Sequence, residues 1–136
     1  MVNITVKSTS NLSCDAVHGP SSVIISTDAP ADIGGGASSF SPTDLVGTAL
    51  VTCILTTMGV VANKMGIDLT GATGTVEKIM GESRPRRIAS LATTLNLPIA
   101  VDDVQREKLE YAAHHCPVHH SLHPDISAEI VFNWKS

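Results

Sequence analysis

Three kinds of hydrophobic pattern succeed one another along this chain. Stretches rich in β-branched residues at 2–9 and 21–28 predict strands, with a weaker strand at 11–17 between them and turn chemistry at 18–22. The Gly/Pro/Ser-rich stretch 28–40 predicts a loop without regular structure. A long uncharged run follows, opened by Ser41 as N-cap, Pro42 in the first helical position and Asp44 closing a capping box. It predicts a helix to about Met65, ended by Gly66. Strands are predicted at 73–81 and 86–98. A helix follows from about 102, with Asp102 as cap and Gln105 reciprocating. Cys116-Pro117 breaks that helix and starts a short one. Alternation of Ile126, Ala128, Ile130, Phe132 and Trp134 predicts a half-buried strand. Strands grouped rather than alternating with helices predict the α+β class, in a single domain covering 1–136.

Composition narrows the function. The net charge is −4 with nine Lys+Arg, and one Trp, one Tyr and two Phe supply the aromatics. That balance excludes nucleic acid as an expected partner, since phosphate contacts need a basic face and base stacking needs aromatic platforms. The run 45–62 approaches the length of a membrane span, but four Thr, two Gly and the lack of aromatic anchors favour a helix buried in protein, so no membrane partner is expected. A helix apolar on nearly every face needs more cover than one small chain provides, which predicts a homodimer. The N-terminal residues do not form a signal peptide, and three cysteines are few and odd in number for a secreted scaffold. Reduced thiols in the cytoplasm are expected.

Five of the six histidines crowd into HHCPVHHSLH, residues 114–123, around Cys116. Three chemistries fit: a metal site, a reactive thiol, or polar side chains at helix ends. His115/His119 and Cys116/His120 are four apart, but Pro117 interrupts the helix between the members of each pair, and no CxxC or HExxH accompanies them, so no metal is expected. Cys116 at a helix N-cap meets the positive end of the helix dipole, which favours thiolate. Cys53 lies mid-helix, sharing a face with Val46, Ala49, Leu50, Thr56, Thr57 and Val60. By position alone it reads as a small buried hydrophobe before it reads as a functional thiol. Cys14 has no histidine or basic neighbour in sequence and reads as structural.

Three stretches together carry a resemblance: GGGASSFSPTDLVGTALVTCILTTMGVVANKMGI, the strand pair containing PRRI, and AAHHCPVHHSL. With this element order, the chain resembles the OsmC/Ohr superfamily, osmotically inducible and organic hydroperoxide resistance proteins, over nearly its whole length and closer to OsmC-like branches than to Ohr. The resemblance implies an intertwined homodimer, with long central helices packed against antiparallel sheets and active sites at the interface. It implies a thiol peroxidase acting on organic hydroperoxides, with Cys53 peroxidatic and Cys116 resolving through an intramolecular disulfide. An external dithiol, such as that of a lipoylated protein, would then reduce the bridge, and no metal, flavin or nucleotide cofactor is needed. The family's activating Arg and Glu are not matched. No Arg precedes Arg84, and the Glu position falls on Thr43 beside Asp44, leaving His18, Arg86 and Arg87 as replacements to consider. The alternative on the same fold is a protein that binds a small apolar ligand with weak or no turnover.

Overall fold

A computed structural model describes all 136 residues, which form two compact units, Met1–Val46 and Gly47–Ser136. The element order is β1 (Ile4–Ser10), β2 (Ser13–His18), β3 (Ile24–Asp28), α1 (Pro42–Lys64), β4 (Thr73–Met80), β5 (Ile88–Leu97), α2 (Asp103–His114), α3 (Pro117–Ser121) and β6 (Ile130–Trp134). The fold is α+β with two three-stranded sheets, β1-β2-β3 and β4-β5-β6.

In the first unit all pairings are antiparallel. The register sets Val6 opposite Ala16 and Ala16 opposite Ile25, so the side chains of these three residues share one face of the sheet. Loop 28–40 is more ordered than its composition predicts: Ala31–Ile33 is a turn of 3₁₀ helix closed by Gly34 in the left-handed region. Its organiser is the carboxylate of Asp28, only 7% exposed. That group accepts hydrogen bonds from the Ser38 hydroxyl (2.7 Å), the Ser38 N–H (3.1 Å) and the Ser13 hydroxyl (3.1 Å). The Ser38 bonds hold the Asp28 pKa below the ordinary carboxylate value.

The start of α1 follows the sequence. The Asp44 N–H donates to the Ser41 hydroxyl (3.1 Å) and the Ser41 N–H donates to the Asp44 carboxylate (2.9 Å), a reciprocal capping box. The helix ends at Gly66, whose φ of 69° suits a residue without Cβ. There the Ile67 N–H reaches the Ala62 carbonyl (2.9 Å) and the Gly66 N–H reaches Asn63 (3.2 Å), a Schellman closure.

In the second unit α1 lies against β4 and β5. A Cβ added at Gly74 would meet Val51 Cγ1 at 2.6 Å and Leu95 Cδ2 at 3.0 Å, so glycine permits that close approach. Leu50, Ile54 and Met58 of α1, Leu91 and Leu95 of β5, and Leu109 of α2 are fully buried and form the core. The helix α1 is long and apolar enough by composition to cross a membrane, but these inward residues are what it contributes to the core. The α2 cap forms as predicted, with Asp102 and Gln105 bonding reciprocally.

The second sheet differs from expectation in one respect. While β4 and β5 pair antiparallel, β6 joins β5 in parallel. The chain leaves β5, passes through α2 and α3, and returns in the same direction, as a helical crossover allows. Strand β6 is also shorter than the alternation from Ile126 predicts, with only a Ser90–Ser127 bridge ahead of Ile130.

Candidate active site

The two cysteines singled out in the sequence sit together in the second unit. Cys53, midway along α1, is half-buried, on the shoulder between fully buried Leu50 and Ile54 and exposed Thr52 and Thr56. Cys116 is completely buried at the joint between α2 and α3. The first helix stops at His115, Pro117 opens the second, and Cys116 between them takes the extended conformation of an N-cap (φ −70°, ψ 149°). Its sulfur accepts a hydrogen bond from the His119 N–H at 3.3 Å. The Cys53 thiol is a close neighbour, near enough to act on the titration of Cys116.

These contacts pull the Cys116 pKa in opposite directions. Burial pushes it up, and the neighbouring Cys53 thiol adds to that, while the N–H groups of His119 and Val118 pull down. Burial prevails, and the Cys116 pKa is raised. The helix-dipole argument taken from sequence alone predicts the opposite, because it cannot see that the N-cap is fully buried. In a short α3 of five residues the dipole is also small.

The histidines pack around this joint. His115 stacks on Tyr111 with ring centroids 3.9 Å apart, and its Nδ1 lies 2.7 Å from the Tyr111 carbonyl. The His115 and His120 rings are 5.5 Å apart, and His114 meets Phe132 (5.8 Å) and His119 (6.4 Å) edge to face. Burial, then the charges of His114, His120 and His115, lower the pKa of His119, opposed by its hydrogen bond to the Ala128 backbone. No three His, Cys, Asp or Glu side chains converge as a ligand set.

Side chains named at the family's activating positions, or as replacements for them, have partners of their own. Thr43 turns its hydroxyl toward that of Ser41 (3.2 Å), and Asp44 completes the helix cap. The Arg87 guanidinium is 2.9 Å from Asp125 in a half-exposed ion pair. In the first unit His18 Nδ1 bonds with the Ser21 hydroxyl, and Cys14 is a half-buried free thiol in β2.

The structure adds a groove, and a contact to Thr57 on the face that the sequence shares with Cys53. A groove of about 590 Å³ opens between α1 and α2, lined by Thr57, Val61, Val104, Tyr111, Ala112 and His115, with Glu107 and Lys108 also on its wall. Thr57 also touches the site, its Oγ1 lying 4.0 Å from Cys53 Sγ. The i, i+4 spacing of Cys53 and Thr57 carried that contact in the sequence; the groove depends on how α2 docks.

Comparison with known proteins agrees with this architecture. The family model described as OsmC-like protein matches residues 34–131. No curated protein matches the sequence. A crystal structure from Psychrobacter arcticus, described as an osmotic stress induced and detoxification response protein, is 36% identical with a TM-score of 0.93, covering 98% of this chain and 96% of its own. An organic hydroperoxide resistance protein from Legionella pneumophila shares the fold at 15% identity and a TM-score of 0.77, covering 98% and 96%. A Vibrio cholerae protein of the hydroperoxide resistance type, with captopril in one of its active sites, matches at 19% identity and a TM-score of 0.76, covering 98% and 91%.

Proposed function

The chain belongs to the family of OsmC-like proteins, and from that premise we propose that it is a cytoplasmic thiol peroxidase that reduces organic hydroperoxides. Family and fold support a redox or peroxide-resistance role. The observation that carries the finer reading is that a half-buried Cys53 neighbours a buried Cys116 whose pKa burial raises.

The chemistry divides between these two sulfurs. The Cys53 thiolate attacks the terminal peroxide oxygen, an S–O bond forms as the O–O bond breaks, and the alkoxide leaves as alcohol after taking up a proton. Cys53 is then a sulfenic acid. Cys116 attacks its sulfur, the disulfide forms, and the hydroxyl leaves as water. A disulfide requires Cα atoms within roughly 7 Å, a demand that neighbouring thiols are well placed to meet. An external dithiol, of the kind carried by a lipoylated protein, returns both cysteines to thiols. The groove beside Thr57 accommodates the apolar arm of the hydroperoxide. The working unit is a homodimer, supported by the exposed apolar row on the first sheet, where Ile4, Val6 and Ile25 are 63%, 60% and 47% exposed.

One observation favours a second reading, binding of a small apolar ligand with little turnover. Thr43, at the family's Glu position, and Arg87, considered as a replacement for the activating Arg, are engaged with Ser41 and Asp125. Intact mass after one equivalent of an organic hydroperoxide separates the two. The peroxidase loses two hydrogens to a Cys53–Cys116 bridge, and Cys53→Ser abolishes peroxide consumption. No bridge, with consumption unchanged in Cys53→Ser, leaves the binding reading.

A further inference from the structure

We propose that Thr57 is the positioning residue for the Cys53 sulfur, its hydroxyl holding the thiolate toward the apolar groove. The inference rests on the peroxidase reading of Cys53 and begins from how the threonines of α1 use their hydroxyls. Thr52 Oγ1 bonds back to the Thr48 carbonyl at 2.8 Å, and Thr56 Oγ1 to the Thr52 carbonyl at 2.7 Å. Both are exposed, and their hydroxyl hydrogens are committed to the preceding turn. Thr57 is half-buried on the inner shoulder, and its hydroxyl instead faces Cys53 Sγ at 4.0 Å.

Placement gives that hydroxyl two neighbours at once. On one side is the sulfur; on the other is the groove walled by Val61, Val104, Tyr111, Ala112 and His115. A peroxide entering with its apolar arm in the groove therefore passes Thr57 to reach Cys53. A hydrogen bond donated to the charged form of a thiol stabilises that form, and in an apolar setting it also fixes where the lone pairs point. The Cys116 thiol, the other polar neighbour of Cys53, is needed later as a nucleophile. Thr57 has no step of its own to perform and keeps its contact through attack, when the S–O bond forms and the O–O bond breaks.

Thr57→Val keeps the shape and removes the donor; Thr57→Ser keeps the donor and removes a methyl. The pH dependence of Cys53 alkylation by iodoacetamide, read by peptide mass, reports the thiolate without any peroxide. The Val variant is expected to move the alkylation midpoint upward by about half a unit to one unit, with peroxide kcat/KM falling roughly three- to tenfold. The Ser variant is expected to restore both. If Val leaves both profiles at wild-type values while Cys53→Ser abolishes consumption, the role of Thr57 is overturned and the peroxidase reading stands. Equal shifts in Val and Ser overturn it too, because packing and not the hydroxyl would then be responsible. Consumption unchanged in Cys53→Ser overturns the peroxidase reading and the catalytic part of this proposal with it; the alkylation profile still decides the contact.

Discussion

Cys116, buried at the N-cap of α3, neighbours Cys53 on the shoulder of α1, so two thiols distant in sequence come together inside the second unit. Their environments differ. Cys53 is half-buried, whereas Cys116 has no exposed surface and is held as the thiol by burial.

That asymmetry predicts what loss of each thiol does. With Cys116→Ser, the sulfenic acid on Cys53 has no partner and proceeds to sulfinic or sulfonic acid, seen as added oxygen mass after repeated hydroperoxide exposure. Wild-type protein under the same exposure should stop at the bridge, with Cys14 still alkylatable. Equal over-oxidation of Cys53 in wild type and Cys116→Ser would remove Cys116 from the reaction.

The same thiol predicts an alkaline limit to stability. Its folded pKa lies above the ordinary thiol value of 9.0, so the native state holds the proton more tightly than the unfolded chain. The resulting stabilisation is fully present below that value and is lost as pH rises through the folded pKa. Urea midpoints should therefore fall above about pH 9 in wild type, and the fall should be shallower in Cys116→Ala. Parallel curves would show that ionisation of Cys116 does not limit the fold.

A homodimer is expected because the first sheet presents Val6, Ala16 and Ile25 in register across its strands, with Val6 and Ile25 exposed at 60% and 47%. Light scattering across a dilution series should give twice the chain mass at micromolar concentration. Ile25→Lys should weaken association, through a buried unpaired charge. A folded wild-type monomer at that concentration would remove the dimer.

The sequence carried the helices because their signals are local. Ser41, Pro42 and Gly66 bracket α1, and Asp102 with Gln105 opens α2; each cap depends on residues within four positions. The 3₁₀ turn at Ala31–Ile33 was hidden because what orders the loop is distant in sequence, Asp28 reaching both Ser13 and Ser38. The direction of β6 was hidden because alternation fixes which residues face the core but says nothing about pairing direction. Spacing alone could not bring Cys53 to Cys116 either; the family resemblance did, and the buried N-cap then reversed the direction of the local pKa argument.

Acid should destabilise the protein through His119. Burial and the neighbouring His114, His120 and His115 hold its pKa below the ordinary imidazole value of 6.5, while the Ala128 carbonyl is the opposing contact. Among the histidines only His123 has a carboxylate close by, Asp125 at 3.8 Å. Since the unfolded chain binds this proton more readily, stability is full above about pH 6.5 and falls as pH drops toward the folded pKa. His119→Gln should flatten the change in urea midpoint between about pH 7.5 and 5.5. A slope unchanged by that substitution would assign the acid sensitivity to other groups.

Thr93 is the core position where the sequence conflicts with its surroundings. It is 1% exposed on β5, and its hydroxyl has no hydrogen-bond partner. The backbone there is satisfied, the Thr93 N–H donating to the Glu129 carbonyl at 2.9 Å, so the hydroxyl alone is orphaned. Its cross-strand neighbours are Val76 on β4 and Ile130 on β6, both aliphatic. Burying a hydroxyl without a partner costs roughly 1–3 kcal/mol by mutational measures. Thr93→Val replaces that hydroxyl by a methyl of similar size and keeps the β-branched shape a central strand favours. Stability should therefore rise by about 1 kcal/mol, read as a higher urea midpoint at unchanged m-value, while peroxide consumption stays at the wild-type rate. A lower midpoint would mean that the hydroxyl meets a group in solution, and a changed rate would place Thr93 within reach of the thiol pair.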